Sequence, residues 1–398
     1  MKKKKVLKYY MIALVVFALS LVALPRSVTA MPEIETKLLL TAIGIDKTDE
    51  GYVVSATDVM PAESQDGTLR KLSVEAQGSS VSECLNTLSV KTGKKLELGL
   101  CGLIVIGDTF KDKSVLPDLK YLLSSGKIIP GAYLVYSPSS SAKDILVKAN
   151  SLSSASSNGL ATLLEHNELG NNSASVTLLD FLSDSASVTE SAYMPCIEIV
   201  EKKDEGKSNE GDKEKEQKDK ETEISNLKEI AIFKSGIKQL RLDETSTKGL
   251  TWLDEKSMRG LVPLDDFTVD GQSFYSLYAT LMDKRVSIKT SFENSLPTVE
   301  IGITATLNLE DRHLITQLNS DGGVSERTLS TAMRSQYQEK IRADIQRYIE
   351  VTKEVDCDAK GLTDRLYRHH SKQYKKIAQE GSVYPNTQIK YKIKIKIN

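Results

Sequence analysis

Histidine is the residue type in this chain with the widest capacity for metal binding and acid–base chemistry, and only four are present. His166 and His313 are isolated in the sequence. His369 and His370 are adjacent, so on a helix they point about 100° apart and do not chelate one metal as an i, i+4 pair would. The sequence therefore predicts no metal site, and we interpret the histidines as ordinary polar residues.

Three short segments match parts of the motif set of penicillin-recognising serine enzymes. They are, in chain order, Lys91–Gly93 (KTG), Ser124–Lys127 (SSGK) and Ser156–Asn158 (SSN). The KTG segment precedes the serine motif, whereas in these enzymes it follows that motif near the end of the domain. Each segment is also explained locally, as a helix end or a polar loop. GxSxG, GxGxxG and P-loop motifs do not occur in the sequence. We therefore expect no catalytic residue and no cofactor, and we predict that the protein is not an enzyme.

The four cysteines are Cys84, Cys101, Cys196 and Cys357, and they form no CxxC pair. An oxidising compartment would permit disulfides, and Cys84 and Cys101 are the nearest pair in sequence. The alternative is that the cysteines are small buried hydrophobic residues. The sequence leaves both alternatives open and favours the second.

The chain begins with a lysine cluster followed by an apolar run, which is the pattern of a secretory signal. The run, Tyr9–Leu24, has 16 residues and would span roughly 24 Å as a helix, less than the ~30 Å of a bilayer's hydrocarbon core. Val28 and Ala30 are small residues at the −3 and −1 positions of a cleavage site before Met31. We predict that residues 1–30 are a signal peptide or a signal anchor, and that the remainder is extracytoplasmic.

The formal net charge of the 398-residue chain is −1, and 27% of the residues are charged. Such a chain has no overall basic field to attract nucleic acid, so we expect no nucleic-acid partner. Residues 201–223 are almost all charged or small and polar, and none is apolar. Because such a segment cannot bury itself in a core, we predict a charged, disordered linker there.

The residues before this linker predict a mixed α/β domain over 31–200. Two apolar runs around DKTDE predict a hairpin. Ser80 and Glu83 form a capping-box pair that predicts a helix, which Gly93 ends. LCGLIVIGD is apolar almost throughout, as expected for a strand covered on both faces, and LLDFLSD predicts a later helix.

The residues after the linker predict a middle domain over 224–275 and a C-terminal α+β domain over 276–398. VSIKTSFE and TVEIGITATLNLE alternate apolar and polar residues, which is typical of half-buried strands. The longest predicted helix, Glu326–Val355, has an apolar stripe that must cover a sheet or another helix. The predicted fold class is therefore α+β and multi-domain. It combines an N-terminal mixed α/β domain with a C-terminal, mainly antiparallel sheet packed by a long helix.

The final segment, IKYKIKIKIN, predicts a strand with two different faces. Lys390, Lys392, Lys394 and Lys396 share one face, and isoleucine and tyrosine residues occupy the other. The lysines would keep the strand soluble and block pairing at the sheet edge. The alternative is a basic stripe that faces anionic lipid head groups.

Five segments in order resemble the Ger(x)C family, the C subunits of spore germinant receptors. They are EIETKLLLTAIGIDKTDEGYVVSATDVMPA, TGKKLELGLCGLIVIGDTF, AYLVYSPSSSAKDIL, AIFKSGIKQLRLDETSTKGLTWL and VDCDAKGLTDRLYRHHSKQYKKI with the closing YKIKIKI. Together they cover nearly all of the chain after the signal. Three features depart from the family pattern, and one is that the tryptophan expected after the closing helix is replaced near KKIAQEGSVYP. The family's lipobox cysteine would fall near Val28, which implies that no lipidation site is encoded, and Leu100 stands where the family usually has a histidine.

The resemblance implies a non-enzymatic, membrane-associated subunit of a nutrient germinant receptor, required for spore germination. The expected location is the outer face of the spore's inner membrane. The expected partners are two integral membrane proteins, an A subunit and a B subunit, and the membrane surface. The family assigns no catalytic residue and no established ligand site. The alternative function is that of an exported small-solute-binding protein, which a deep apolar pocket with convergent polar groups would favour.

Overall fold

The computed structural model describes residues 36–60, 70–152, 174–201, 222–225, 228–255, 260–269, 272–273, 277–294, 296–310 and 325–398, together with Leu14, Val15 and Leu164. Eight helices and seventeen strands lie within these ranges. The predicted cleavage site, most of the predicted signal and most of the charged segment 201–223 lie outside the described residues.

The first sheet is mixed and contains six strands in the order β3-β2-β1-β5-β6, with β4 also paired to β1. The first three strands form an antiparallel meander, whereas β4 and β5 run parallel to β1, and β6 runs parallel to β5. The predicted hairpin is confirmed by the pairing of β1 with β2. The strands are β1 Lys37–Lys47, β2 Tyr52–Met60, β3 Arg70–Gly78, β4 Lys95–Glu97, β5 Leu103–Gly107 and β6 Tyr133–Ser137.

Helices cover both faces of this sheet. Helices α1 (Val81–Thr92), α2 (Leu116–Ser124) and α4 (Leu178–Ser185) contribute to the main core, and α3 (Ala142–Leu152) packs on the opposite face in a smaller cluster. Every residue of β5 is buried, which confirms the strand predicted from LCGLIVIGD.

The predicted capping of α1 is confirmed in its first half. The Ser80 hydroxyl accepts the N–H of Glu83 at 3.2 Å. The Glu83 carboxylate accepts the N–H of Ser79, at 2.8 Å, instead of that of Ser80. Gly93 ends the helix with φ of 64°, a conformation that costs glycine little.

The second sheet joins strands from both sides of the charged segment. Strand β10 (Ile230–Lys234) pairs antiparallel with β7 (Ser191–Pro195) and with β11 (Ile237–Leu242). Strand β8 (Glu198–Glu201) pairs antiparallel with β9 (Thr222–Ser225). The two described ends of the charged segment therefore lie side by side, while the disorder predicted for its interior falls outside the described residues.

The C-terminal sheet has four strands in the order β12-β15-β16-β17. The first three are antiparallel neighbours, and β17 runs parallel to β16. Its strands are β12 Gly260–Leu264, β15 Leu277–Glu293, β16 Leu296–Leu309 and β17 Gln388–Ile397, and β13 (Thr268–Val269) and β14 (Gln272–Ser273) form a separate short hairpin. The α+β fold class with a mainly antiparallel C-terminal sheet is confirmed. Because β12 pairs with β15 across position 275, the boundary proposed there lies within one sheet.

The long helix α6 (Glu326–Glu354) packs on the inner face of this sheet and confirms the predicted helix. Every residue of its predicted apolar stripe is buried: Leu329, Met333, Tyr337, Ile341, Ile345, Tyr348 and Ile349. Helix α5 (Glu244–Leu253) packs against α6. Two further helices follow, α7 (Leu362–His369) and α8 (Ser371–Glu380), separated at His370.

Candidate functional site

The adjacent histidines join the α7–α8 break to strand β15. His369 Nδ1 lies 3.2 Å from the Thr290 hydroxyl, and His370 Nε2 lies 3.1 Å from the Thr290 carbonyl oxygen. The His370 ring also packs edge-on against Phe292. Within the described ranges no group of His, Cys, Asp and Glu side chains is arranged to hold a metal ion. His166 and His313 lie outside those ranges.

The serine-enzyme segments form helix ends where the structure describes them. The Ser124 hydroxyl donates to the Tyr121 carbonyl oxygen at 3.2 Å, within the last turn of α2. Lys91 lies in the last turn of α1, and Gly93 is its C-cap. Ser156–Asn158 lies outside the described residues. The two described segments therefore occupy the local positions that the sequence suggested for them.

The four cysteines are free and buried. Burial raises the pKa of the Cys101 and Cys196 thiols to about 12 and that of Cys357 to about 11. Burial also raises the pKa of the Cys84 thiol. Nucleophilic attack and metal binding require a thiolate, so these thiols are suited to packing. The Cys84–Cys101 disulfide that the sequence left open is not formed in the structure.

A buried polar cluster lies where residues from both halves of the chain meet, and we call it the junction cluster (Tyr193, Asp254, Lys284 and Lys360). The Tyr193 hydroxyl donates to the Asp254 carboxylate at 3.3 Å. Lys360 Nζ lies 3.6 Å from the same carboxylate and 5.3 Å from the centroid of the Tyr193 ring. Tyr193 is on β7, Asp254 follows α5, and Lys360 precedes α7. These contacts connect the N-terminal half to the C-terminal half.

Lys284 is the most deeply buried cation of the junction cluster, with 3% of its surface exposed. Its ammonium group donates to the Thr251 carbonyl oxygen at 2.6 Å and lies 5.7 Å from the Trp252 ring centroid. Burial lowers the pKa of Lys284 to about 8, and the charge of Asp254 opposes this change. A lysine with this pKa has the proton affinity of a general base. Its burial leaves no approach for a substrate, so the arrangement favours a structural role.

A β-bulge turns Lys284 inward. The register between β15 and β16 shifts between Leu281 and Asp283. Before the shift the odd-numbered residues of β15, including Leu281, are buried, and after it the even-numbered residues face inward. The extra residue of a bulge changes the face on which later side chains lie. Lys284 is therefore placed inside by an irregularity of the strand.

A cleft of ≈ 410 Å³ is lined by residues of both halves of the chain, among them Glu190, Lys234 and Tyr384. Across it, Lys234 Nζ lies 2.6 Å from the Asp356 carboxylate and donates to the Asp356 carbonyl oxygen at 2.7 Å. The buried Asp358 carboxylate accepts the N–H groups of Leu362 and Thr363 at 2.9 and 2.6 Å. The volume of the cleft is in the range of small-molecule sites. The side chains of Lys234, Asp356 and Asp358, however, already bind one another or the backbone.

Sequence reasoning missed the buried charged residues of the molecule. Asp46, at the end of β1, accepts the N–H groups of the first two residues of α3. Asp46 ends the Gly44–Asp46 (GID) stretch, which lies in the first segment that resembles the family. That resemblance was the sequence signal from which Asp46 could have been singled out. For Lys284 the available signal lies in the apolar pattern of β15. The inward apolar residues change from odd-numbered positions, such as Leu281, to even-numbered positions, such as Val286.

No helix within the described residues is long and apolar enough to cross a bilayer.

The fold and the junction define an α+β protein in which two halves of one chain are joined by a shared sheet and a buried polar cluster. Residues 31–199 match the model of the spore germination protein N-terminal domain, and residues 228–398 match that of the spore germination B3/GerAC-like C-terminal domain. The chain belongs to this spore germination family, the Ger(x)C family of germinant receptor C subunits.

Among solved structures, a crystal structure of the GerBC protein is similar over 89% of this chain and 96% of that chain, with 14% sequence identity and a TM-score of 0.49. No curated protein sequence matches this chain.

Proposed function

We propose that this protein is a non-enzymatic, membrane-associated subunit of a nutrient germinant receptor that acts as an extracytoplasmic adaptor. Its partners are the two integral membrane subunits, A and B. The observation that carries the proposal is the family membership, which extends over residues 31–199 and 228–398. The lysine cluster and the apolar run Tyr9–Leu24 support export and location at the outer membrane face.

The connection between the two halves supports an adaptor role. An adaptor holds its binding surfaces in a fixed relation, which requires a stiff connection between them. Strand β10 continues a sheet begun by β7, and the junction cluster places three charged side chains beside it, of which Asp254 and Lys284 are buried. Removing one member of a buried charged cluster is costly because the remaining charge loses its partner. The halves are thus expected to move as one body.

Deletion of the gene in its sporulating host tests this function. We expect spores to form normally but to respond poorly to nutrients, and we expect the response to return when the wild-type gene is restored. A trigger that bypasses nutrient receptors is the control and should act equally on both strains. A normal response of the deletion strain to every nutrient, in a host without a second copy of such a gene, would overturn the proposal.

Membrane attachment is tested on the mature protein. Mass spectrometry of the N-terminus distinguishes a chain that begins at Met31 from one that retains Tyr9–Leu24. A retained run would anchor the adaptor directly. A chain that begins at Met31 and stays in the membrane fraction must be held by its partners or by the lipid surface. A cleaved chain found only in soluble fractions would contradict membrane association.

The cleft lined by residues of both halves is the basis of a second candidate function, the capture of a small solute. Its volume is adequate, and Ala378 lies at its exposed lining. Calorimetry with amino acids, nucleosides and sugars tests this candidate. A saturable heat that Ala378→Trp removes would favour solute binding, and the absence of heat with all of these compounds would exclude them as ligands.

A further inference from the structure

Within the described residues the outer face of the C-terminal sheet is uncovered: α6 packs on the inner face, and outward residues such as Arg285 and Lys394 are exposed. The inward residues of β16, such as Ile301 and Ile303, are almost fully buried. The alternating lysines of β17, Lys392, Lys394 and Lys396, lie on the opposite, outer face and are exposed. Cross-strand register places the exposed side chains in three neighbouring rows: Lys392 with Gly302 and Ser287, Lys394 with Thr304 and Arg285, and Lys396 with Thr306 and Asp283. We call these three rows the basic face.

The basic face carries cations at its edges and small residues in its middle. Successive outward side chains on one strand are about 7 Å apart, and neighbouring strands are about 5 Å apart. The central strand contributes Gly302, Thr304 and Thr306. A Cβ atom at Gly302 would lie 2.4 Å from the Ser287 hydroxyl, so a larger side chain there would disturb this row. The result is a nearly flat surface with no central protrusion.

Within the part of the chain that the structure describes, most of the positive charge on the basic face is not neutralised by neighbouring residues. Arg285 lies 3.9 Å from Asp283, and its side chain is 86% exposed. Among the described residues no carboxylate forms an ion pair with Lys392, Lys394 or Lys396. The three rows together hold four cations and one carboxylate. By contrast Lys390, one row further along β17, pairs with Glu293 at 2.6 Å.

Exposed apolar side chains continue the same face beyond the third row. Leu261 on β12 pairs with Thr280 on β15 and is 51% exposed. Tyr278 and Met282, on the outer side of β15, are 40% and 52% exposed. Lysines beside exposed apolar and aromatic side chains are the combination that binds a lipid interface, where the rings and chains enter the head-group region.

We propose that the basic face lies against an anionic lipid bilayer. The proposal deepens the adaptor function and rests on its membrane location. Lysine is a strongly hydrated point charge on a flexible stem, and clusters of basic side chains beside a membrane bind anionic lipid head groups. The flat centre also lacks the pocket in which a protein partner would place an anchoring side chain. An acidic protein surface is therefore the less favoured occupant.

The test uses the full chain with a fluorophore on an introduced cysteine, which is selective because all four native cysteines are buried. The label is placed on the basic face by Thr304→Cys or, as a control, at the end of α2 by Ser124→Cys. The probes are vesicles of phosphatidylcholine with or without phosphatidylglycerol, each containing a lipid with a quenching head group. We expect quenching at position 304 on anionic vesicles, loss of this quenching at high salt, and little quenching at position 124.

Charge variants separate this contact from insertion of the N-terminal run, which all the proteins share. Lys392→Gln, Lys394→Gln and Lys396→Gln together are expected to weaken the contact at position 304 by about 100-fold, since each lysine near an anionic surface contributes roughly a fivefold factor. The matched control, Lys113→Gln with Lys120→Gln and Lys127→Gln, changes the net charge equally at exposed positions elsewhere and should not weaken it. Circular dichroism checks that each variant is folded.

Two outcomes would overturn the proposal. One is equal quenching at positions 304 and 124, and the other is unchanged quenching at position 304 in the triple variant. Absent quenching on anionic vesicles, with binding of an acidic polypeptide to the same face, would assign the face to a protein partner. The vesicle experiment contains no other receptor subunit, so a negative result overturns the lipid contact and leaves the adaptor function untouched. The germination phenotype of the deletion strain tests the adaptor function independently.

Discussion

The carboxylate of Asp46 accepts the backbone N–H of Ala142 at 2.9 Å, although the two residues are 96 positions apart. Its other oxygen accepts the N–H of Lys143 at 3.2 Å. Asp46 thereby caps the N-terminus of α3 from the end of β1, where the helix dipole favours a negative charge. A Cβ atom at Gly107 would lie 1.9 Å from an Asp46 oxygen, so the neighbouring strand must carry glycine there.

Replacement of this cap should destabilise the fold. In Asp46→Ala two N–H groups of α3 lose their acceptor, and we expect the free energy of unfolding to fall by about 2 kcal/mol. Asp46→Asn, which retains one acceptor oxygen, should lose less. Urea denaturation followed by circular dichroism measures both changes. Equal stability of Asp46→Ala and the wild type would show that the cap is dispensable.

The same aspartate should make stability depend on pH. Burial raises the pKa of Asp46 in the folded chain above its ordinary value, and the hydrogen bonds from Ala142 and Lys143 oppose this change in part. Its contribution to stability is therefore present below the unfolded-state pKa and is lost as the pH rises through the folded-state pKa. Relative to Asp46→Asn, the wild type should be more stable at about pH 4 than at about pH 7. An opposite trend would contradict the direction of this pKa change.

Lys284 should produce a pH dependence in the alkaline range. Burial lowers its pKa from 10.5 to about 8, so between these values the unfolded chain binds a proton that the folded chain has released. The free energy of unfolding therefore rises with pH in this window. Relative to Lys284→Met, the wild type should gain about 2 kcal/mol between about pH 7 and about pH 10.

The comparison with Lys284→Met is needed because other buried groups titrate in the same range. Burial raises the pKa of the cysteine thiols and of Tyr193, and these changes lower stability at high pH in both proteins. Their effects cancel in the difference between the two denaturation curves. A difference that is constant with pH would show that Lys284 titrates normally.

Helices α5 and α6 approach closely at Gly249. A Cβ atom there would lie 2.2 Å from the Asp344 carbonyl oxygen and 2.5 Å from the Tyr348 Cβ. One turn later, the Trp252 indole N–H donates to the Asp344 carboxylate at 3.3 Å. We expect Gly249→Ala to push the helices apart and to cost about 1–3 kcal/mol, measured by thermal unfolding. Gly131→Ala, where no atom lies within 4 Å of the added carbon, is the matched control and should unfold at or slightly above the wild-type temperature.

The cysteines should be unreactive in the folded protein and free after unfolding. All four are at most 2% exposed, and burial raises the pKa of each thiol. A thiol reagent added without a reductant should modify folded protein slowly, and it should modify four thiols per chain in denaturant. A count of two thiols in denaturant would indicate a disulfide and contradict the buried-thiol arrangement.

Local sequence patterns predicted the elements of this fold well. The spacing of Leu329, Met333 and Tyr337 predicted a helix with one buried stripe, and the alternation in TVEIGITATLNLE predicted a strand. Each of these signals is contained in a short window, because helix and strand periods determine which side chains share a face. The alternating lysines of β17 are a further case, since the exposed face of that strand was apparent from its period.

Relationships between distant segments were decided only by the tertiary structure. The pairing of β7 with β10 across the charged segment, and the contact of Asp46 with α3, join residues that no local period relates. Lys284 is the clearest example, because one extra residue in β15 shifts the register and reverses the face of every later side chain. The sequence determined which surfaces each element would bury. The long-range pairing determined which charged residues became the junction and which remained on the basic face.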